Sequence, residues 1–331
     1  MKPSIAIIGA GISGLILAKK LQDKALVTVF EKARGVGGRM STRYTDPFYF
    51  DHGAQCFTAR TKEFQQFLEP YIQKGLIHEW LGNVINLEIE QEATTRLWKE
   101  SHLVASPNMN SLCKELAKEI NVITNLEIAP INERIKNKWL LKDKDGNQIG
   151  TYDWIISTAP PRQTISLFEN YLADNNPIRN VSMHGGFSLM IGFNRPWDQD
   201  WIAAKVINNP IKWISINSTK PHRPKNVTCI VAHSSNSWSN KHIDDRIDIS
   251  QTFLLKEFEK VTSINCEGTD YIETHRWRYA IVHKTQKSNF YLDPKLQLAA
   301  TSDWCSTSRI EEVWWSSKML SAEILNIINC M

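Results

Sequence analysis

A glycine turn wedged between an apolar run and a helical repeat, within the first two dozen residues, limits the fold more than any other feature of this chain. Ser4 to Ile8 is a short apolar strand, Gly9 to Gly14 reads GAGISG, and Leu15, Ile16, Ala18 and Leu21 then recur at helical spacing. Leu26 to Phe30 reads as a second buried strand, closed by Glu31. Such a βαβ unit demands a parallel pair of strands, because a parallel connection needs a crossover. In this arrangement Gly9 makes the tight turn, Gly11 lets backbone approach a pyrophosphate, and Gly14 lets helix and sheet pack closely. The helix N-terminus faces the negative charge, and Glu31 is placed to accept from a ribose diol. The bland alternative is a set of packing glycines with no nucleotide.

A second glycine-rich loop follows at once, KARGVGGRMSTR, with Gly35, Gly37, Gly38, Arg39, Ser41 and Arg43. A nicotinamide-only dehydrogenase does not need it, whereas a dinucleotide with a longer middle section does, with Arg39 pairing with phosphate. DHGAQ, Asp51 to Gln55, then either carries backbone donors toward a bound ring or is a plain turn at Asp51 and Gly53.

The rest of the chain excludes several classes. The formal charge of +4 over 331 residues gives no reason to expect nucleic acid. The six cysteines contain no CxxC, the nine histidines no HExxH, and no carboxylate cluster stands out, so no metal is expected. No apolar run approaches a membrane span, and Lys19 and Lys20 close the first one, so the expected setting is reducing and cytoplasmic. The twelve tryptophans, all at or after Trp80, are either core side chains or an aromatic ligand lining. Ser234 to Ser239 lacks GxSxG and reads as a loop; Lys220, Arg223 and Lys225 read as a solvated turn or as contacts for substrate phosphates. Helices are expected over Thr61–Lys74, interrupted near Pro70, and over Met109–Ile120, Ile247–Val261 and Arg309–Ile328. Between them, strands at Gly186–Phe193, Trp213–Asn217, Val227–His233 and Ala280–His283 suggest a second, largely antiparallel or mixed sheet.

GAGISG, Glu31, GVGGRMST and DHGAQ resemble the flavin-dependent amine oxidase superfamily. HRWRYA at His275–Ala280 and SDWC at Ser302–Cys305, with SPNM, SINSTKPHR and HSSNSW, are similar to the bacterial renalase-like flavoproteins, and the resemblance spans essentially the whole chain. It implies an α/β fold: a Rossmann-like FAD-binding domain over 1–75, 105–165 and 290–331, with an inserted α+β substrate domain on a mixed or antiparallel sheet over 76–104 and 166–289. Non-covalent FAD would be held by Gly9, Gly11, Ser13, Gly14, Glu31, Lys32, Gly38, Arg39, Met40, Ala54, Gln55 and Asp303. Ser302 departs from the glycine common in the family before that aspartate.

The activity implied is hydride transfer from 2- and 6-dihydro NAD(P) isomers to flavin, with dioxygen as acceptor and hydrogen peroxide as product. A dihydronicotinamide dinucleotide is then the expected partner. Such chemistry needs orientation more than acid or base, because the substrate becomes an aromatic cation as hydride leaves. Asn217, His233, Arg276 and Trp277 are therefore expected around the substrate, none as a general base, each with a mundane alternative as a core or interdomain residue; His184 is a weaker candidate. The alternatives are an FAD-dependent oxidase of amines or other small metabolites, a flavin-dependent desaturase, and a flavin-binding sensor or interaction protein with little turnover.

Overall fold

In the computed structural model the described residues are 1–286 and 288–330; Lys287 and Met331, which fall within the expected domain spans, lie outside them. The chain divides into two units, one of Met1–Gly38, Cys113–Met183 and Val282–Met331, the other of Arg39–Leu112 and His184–Ile281.

The first unit is built on the glycine-turn motif. Strands β1 (Ser4–Ile8) and β2 (Leu26–Phe30) pair in parallel, with Ile7 opposite Val29, and helix α1 (Ile12–Leu21) makes the crossover. On the other side of β1 runs β13 (Trp154–Ser157), also parallel, then β20 (Leu298–Ala300). β9 (Val122–Ile123) and the antiparallel β19 (Tyr291–Asp293) form the two edges of this six-stranded sheet. Ile5, Ala6 and Ile7 in β1 and Trp154, Ile155 and Ile156 in β13 are completely buried, as consecutive residues must be when both faces of a parallel sheet are covered. The same covering explains why α1 is apolar nearly all round: Ile12 to Ala18 are buried without a break, and Ser13 meets Ser317 of the C-terminal helix α7 (Ile310–Cys330). A small antiparallel sheet of β10 (Arg134–Ile135), β11 (Lys138–Lys142) and β12 (Gln148–Tyr152) completes this core with Trp139 and Trp304. After β13, Pro160 and Pro161 open helix α4 (Pro161–Leu167), because proline's fixed φ suits a first helical turn.

The second unit carries a seven-stranded mixed sheet in the order β18 (Tyr271–Lys284), β14 (Ser182–Phe193), β17 (Thr228–Ser234), β16 (Ile211–Ile216), β15 (Trp201–Val206), β6 (Asn83–Leu87) and β7 (Thr94–Thr95). β14, β17, β16 and β15 are antiparallel neighbours, while β6 joins β15 in parallel. Helix α6 (Ile247–Thr262) covers one face through Leu254, Phe258 and Val261, which pack in one core with Phe187, Leu189 and Ile191 of β14. Two hairpin-like pairs, β3 (Thr42–Thr45) with β4 (Phe48–Asp51) and β5 (Ile77–Glu79) with β8 (Leu103–Ala105), accompany helix α2 (Lys62–Gln73). A short helix, α3 (Ser111–Ala117), follows.

Two local expectations change. α2 runs through Pro70 rather than breaking there: Pro70 lies in the last turn, and its carbonyl still receives the Lys74 N–H at 3.2 Å. The serine stretch expected as a loop begins helix α5 (Asn236–His242), with the Ser235 hydroxyl accepting from the Trp238 N–H. Among the described residues no helix is long and apolar enough to cross a membrane.

Candidate functional site

At the nucleotide end, in the first unit, the backbone is shaped by its glycines. A Cβ on Gly14 would lie 2.0 Å from the Gly9 carbonyl oxygen, so only glycine lets α1 start this close to the turn. Around Gly11, by contrast, an added Cβ would meet nothing within 4 Å, which leaves the approach open. Gly11 caps α1 with no side-chain hydrogen bond, and no acidic residue occupies the first turn, so the N–H groups there are uncommitted to a side-chain cap. Glu31 accepts from the N–H groups of Ala10 and Ala33, both at 2.8 Å, and a carboxylate retains lone pairs for ribose hydroxyls beyond those two bonds. These observations fit a dinucleotide. Ser13 does not point its hydroxyl at one: Oγ bonds to Ser317 and to the Thr301 carbonyl, leaving only its backbone for phosphate.

The remaining first-unit candidates are placed as follows. Lys32 is exposed, 3.9 Å from Glu127, and Gly38 adopts φ +52° with its Cα side against Gly11. Asp303 is buried at the start of a short 3-10 turn, accepting from the hydroxyls of Ser302 at 3.2 Å and Ser308 at 3.4 Å. Ser302 has φ −172°, extended backbone that any residue adopts, so the departure from glycine introduces no strain.

In the second unit, the 51–55 stretch is fixed at nearly every peptide. The Asp51 N–H donates to Asn217 Oδ1 at 2.6 Å; Gln55 Nε2 reaches back to the carbonyls of Asp51 and, at 3.1 Å, Gly53. Asn217 Nδ2 donates to Gln55 Oε1 at 2.9 Å. The Ala54 N–H donates to the Arg39 carbonyl at 2.8 Å, Arg39 Nη1 donates to the Ala280 carbonyl at 3.4 Å, and Met40 is buried. A Cβ on Gly53 would fall 1.9 Å from the Arg39 oxygen, which makes this glycine obligatory.

Asp51 itself anchors a buried charge cluster that sequence reasoning missed. Its carboxylate accepts from Thr42 at 2.7 Å, the Met109 N–H at 3.0 Å, Lys220 Nζ at 2.9 Å and Arg223 Nη2 at 2.5 Å, and all three charged side chains are at most 2% exposed. Burial pushes the Asp51 carboxyl up, but the Lys220 and Arg223 charges prevail and hold it well below the usual carboxylate range. Burial lowers the Lys220 ammonium against the pull of Asp51. Lys220 and Arg223 are therefore neither a solvated turn nor free phosphate contacts; exposed Lys225 folds its ammonium onto the carbonyls of Ser218 and Lys220. The two prolines around Lys220 and Arg223 are a turn signal, and nothing local in the sequence reveals that the turn packs inward on Asp51.

The four expected substrate residues separate by strand alternation. In β18, His275 and Trp277 share one face and Arg276 and Arg278 the other. Trp277 stacks on His52 with ring centres 5.1 Å apart, and His275 meets His52 edge-on at 4.8 Å. Trp277 Nε1 donates to the His52 carbonyl at 3.0 Å, and His233 Nε2 lies 3.3 Å from the same oxygen. Asn217, His233 and Trp277 thus converge on the backbone of residues 51–52. Arg276 instead donates to the Asp245 carbonyl and lies over Phe187, while Arg278 pairs with Asp244. Burial, then the neighbouring His275 and Arg43, lowers His52 to about 3, and burial followed by the Lys212 charge lowers His233 to about 4; burial also lowers His275. The rings are neutral at pH 7 as a result.

Residues 7–71 match the NAD(P)-binding Rossmann-like domain family. The chain is 38% identical over 76 residues to a 4,4'-diapophytoene desaturase of Staphylococcus aureus, covering 20% of this chain and 15% of that protein. A Staphylococcus haemolyticus counterpart is 52% identical over 50 residues, covering 15% of this chain and 10% of that protein. The chain thus spans well under two thirds of the length of the curated relatives it matches. Among solved structures, a candidate protoporphyrinogen oxidase from Exiguobacterium sp. 255-15 superposes with TM-score 0.78 at 12% identity, covering 98% of this chain and 99% of that one. A putrescine oxidase bound to putrescine superposes with TM-score 0.72 at 12% identity and the same coverage. The names of these relatives speak of a porphyrinogen, an amine and a phytoene-type hydrocarbon, which corrects the expected dihydronicotinamide dinucleotide partner. The site agrees with that correction, since Lys220 and Arg223, read from the sequence as a solvated turn or as contacts for substrate phosphates, are spent on Asp51. The chain therefore shares the fold of these two solved oxidases, with a parallel-sheet first unit whose residues 7–71 match the NAD(P)-binding Rossmann-like family and a second unit built on a mixed sheet.

Proposed function

We propose that the chain is an FAD-dependent oxidase of amines or comparable small nitrogen-bearing metabolites. The observation that carries this reading is the cluster of neutral rings on the 51–55 stretch, His52, His275 and Trp277, beside a carboxylate already paired with two cations. The fold likeness to a putrescine oxidase supports it. The first unit would hold the adenosine end through Glu31 and the pyrophosphate on the backbone of Gly11 to Gly14; the 51–55 backbone would lie beside the flavin ring. Bound FAD supplies a two-electron acceptor for hydride.

The residues of the cluster orient and desolvate rather than transfer protons. Trp277 offers a ring face and the histidines are uncharged, while the neighbouring Arg43 cation and Glu273 carboxylate are paired with each other at 3.0 Å and not left for an ammonium. An amine therefore reacts as the free base, whose nitrogen lone pair assists departure of hydride from the adjacent carbon. Anaerobic mixing of the FAD-loaded protein with a panel of primary amines, diamines and secondary amines tests the reading. Bleaching of the flavin absorbance by an amine, followed by recovery on admitting air with formation of hydrogen peroxide, is expected. A flavin that stays oxidised with every amine, and is bleached by dithionite, would sink it.

A further inference from the structure

The His52 carbonyl receives more donors than its burial requires. Ser188 Oγ donates to it at 2.6 Å, Trp277 Nε1 at 3.0 Å and His233 Nε2 approaches at 3.3 Å, one side chain from each of β14, β18 and β17. Ser188 and His233 are register partners across β14 and β17, and Ser188 also accepts from Trp277 at 3.2 Å, so Ser188 and Trp277 brace each other and His233 is placed by strand register. A carbonyl oxygen has two lone pairs, and one partner suffices to cover its burial.

A peptide is planar and trans, so the Gly53 N–H points opposite to the His52 carbonyl, away from these three strands. The plane is held on its oxygen side by these hydrogen bonds, and the next peptide is fixed by the Ala54 N–H donating to the Arg39 carbonyl at 2.8 Å. Among the described residues the Gly53 N–H meets no acceptor. The structure thus contains a half-buried backbone donor whose carbonyl side is heavily bonded and whose donor side is open.

We propose that Ser188, Trp277 and His233 are positioning residues that hold and polarise the 52–53 peptide so that the Gly53 N–H donates to a carbonyl or ring-nitrogen acceptor of the flavin. This rests on the reading above that the 51–55 backbone lies beside the cofactor. Donors on the oxygen draw electron density through the amide and strengthen the N–H as a donor, by roughly 10–30% for each added bond. A stronger donor favours an acceptor more when that acceptor carries more negative charge, so the device stabilises the reduced ring over the oxidised one and raises its midpoint potential. Because His233 stays neutral down to about pH 4, its contribution is constant across the neutral range.

Ser188→Ala removes the shortest donor, and Trp277→Phe removes a second while keeping an aromatic ring against His52. Both are expected to bind FAD within several-fold of the native dissociation constant by fluorescence titration. Both are expected to shift the midpoint, measured against reference dyes, to more negative potential, the double variant most. Ser188→Thr, which keeps the hydroxyl, should return the native value; where Ser188→Ala does not fold, Trp277→Phe alone carries the comparison. An unchanged midpoint in FAD-loaded Trp277→Phe overturns the inference. A native chain that takes up no FAD from an excess overturns the cofactor reading as well, and is recognised before any substitution is made.

Discussion

Asp51 shows how one side chain can decide the stability of a site that its neighbours in sequence do not reveal. Replacing it with asparagine leaves Lys220 and Arg223 facing each other in a buried setting with no carboxylate, and breaking such a pair costs about 3–5 kcal/mol. Asp51→Asn is expected to lower the urea midpoint accordingly at pH 7, with the slope unchanged. The histidines add an acid sensitivity whose sign follows from their direction. His52 and His233, at about 3 and about 4 in the fold against 6.5 when free, bind fewer protons folded than unfolded in between. Stability is thus complete above about pH 6.5 and is lost as pH falls toward 4. A thermal midpoint measured from pH 7 to 4.5 should decline, and less steeply in His233→Asn; equal slopes would refute the assignment. Asp51 adds its own loss only below its ordinary value of 3.8. The residue chemistry was partly legible: Glu31 and the glycines announce a nucleotide, but no spacing rule connects Asp51 to residues some 170 positions away.

Among the elements, those whose signal is local agree best with the sequence. The crossover β1–α1–β2 follows from five apolar residues, a glycine turn and a helical repeat, and α6 follows from Leu254, Phe258 and Val261 on one face. Gly14→Ala is expected to prevent α1 from docking at its present distance, with loss of FAD binding and an overpacking cost of about 1–3 kcal/mol in chemical denaturation. At the start of α2, the Thr61 hydroxyl accepts from the Phe64 N–H at 3.3 Å, so Thr61→Ala should cost about 1 kcal/mol with no change in the flavin spectrum. What the sequence hid at this scale was extent and exposure. β18 runs from Tyr271 to Lys284, far beyond the expected 280–283, because HRWRYA alternates between two differently occupied faces instead of an apolar and a polar one. That alternation is also why Trp277 joins the 51–55 stretch and Arg276 does not.

For the molecule as a whole, the proposed amine chemistry and FAD binding make predictions that can be measured. If the amine reacts as its free base, kcat/KM should rise about tenfold per pH unit below the amine's own pKa, roughly 10 for a simple alkylamine, at pH values where the fold is intact. A flat profile would count against the neutral-amine reading. Non-covalent FAD should stabilise the fold by mass action, about 2.7 kcal/mol at a hundredfold excess over its dissociation constant. It should leave with the supernatant after mild denaturation. The sequence by itself determined the dinucleotide motif and the mixture of a parallel and a mixed sheet, because those rest on short-range periodicity and on glycines whose role is backbone geometry. Only the tertiary structure decided that Lys220 and Arg223 are interior counter-ions, that Ser13 turns its hydroxyl toward α7, and that Asn217, His233 and Trp277 converge on one backbone stretch. Burial and strand register bring residues together by position in space, and no pattern along a single chain encodes those distances.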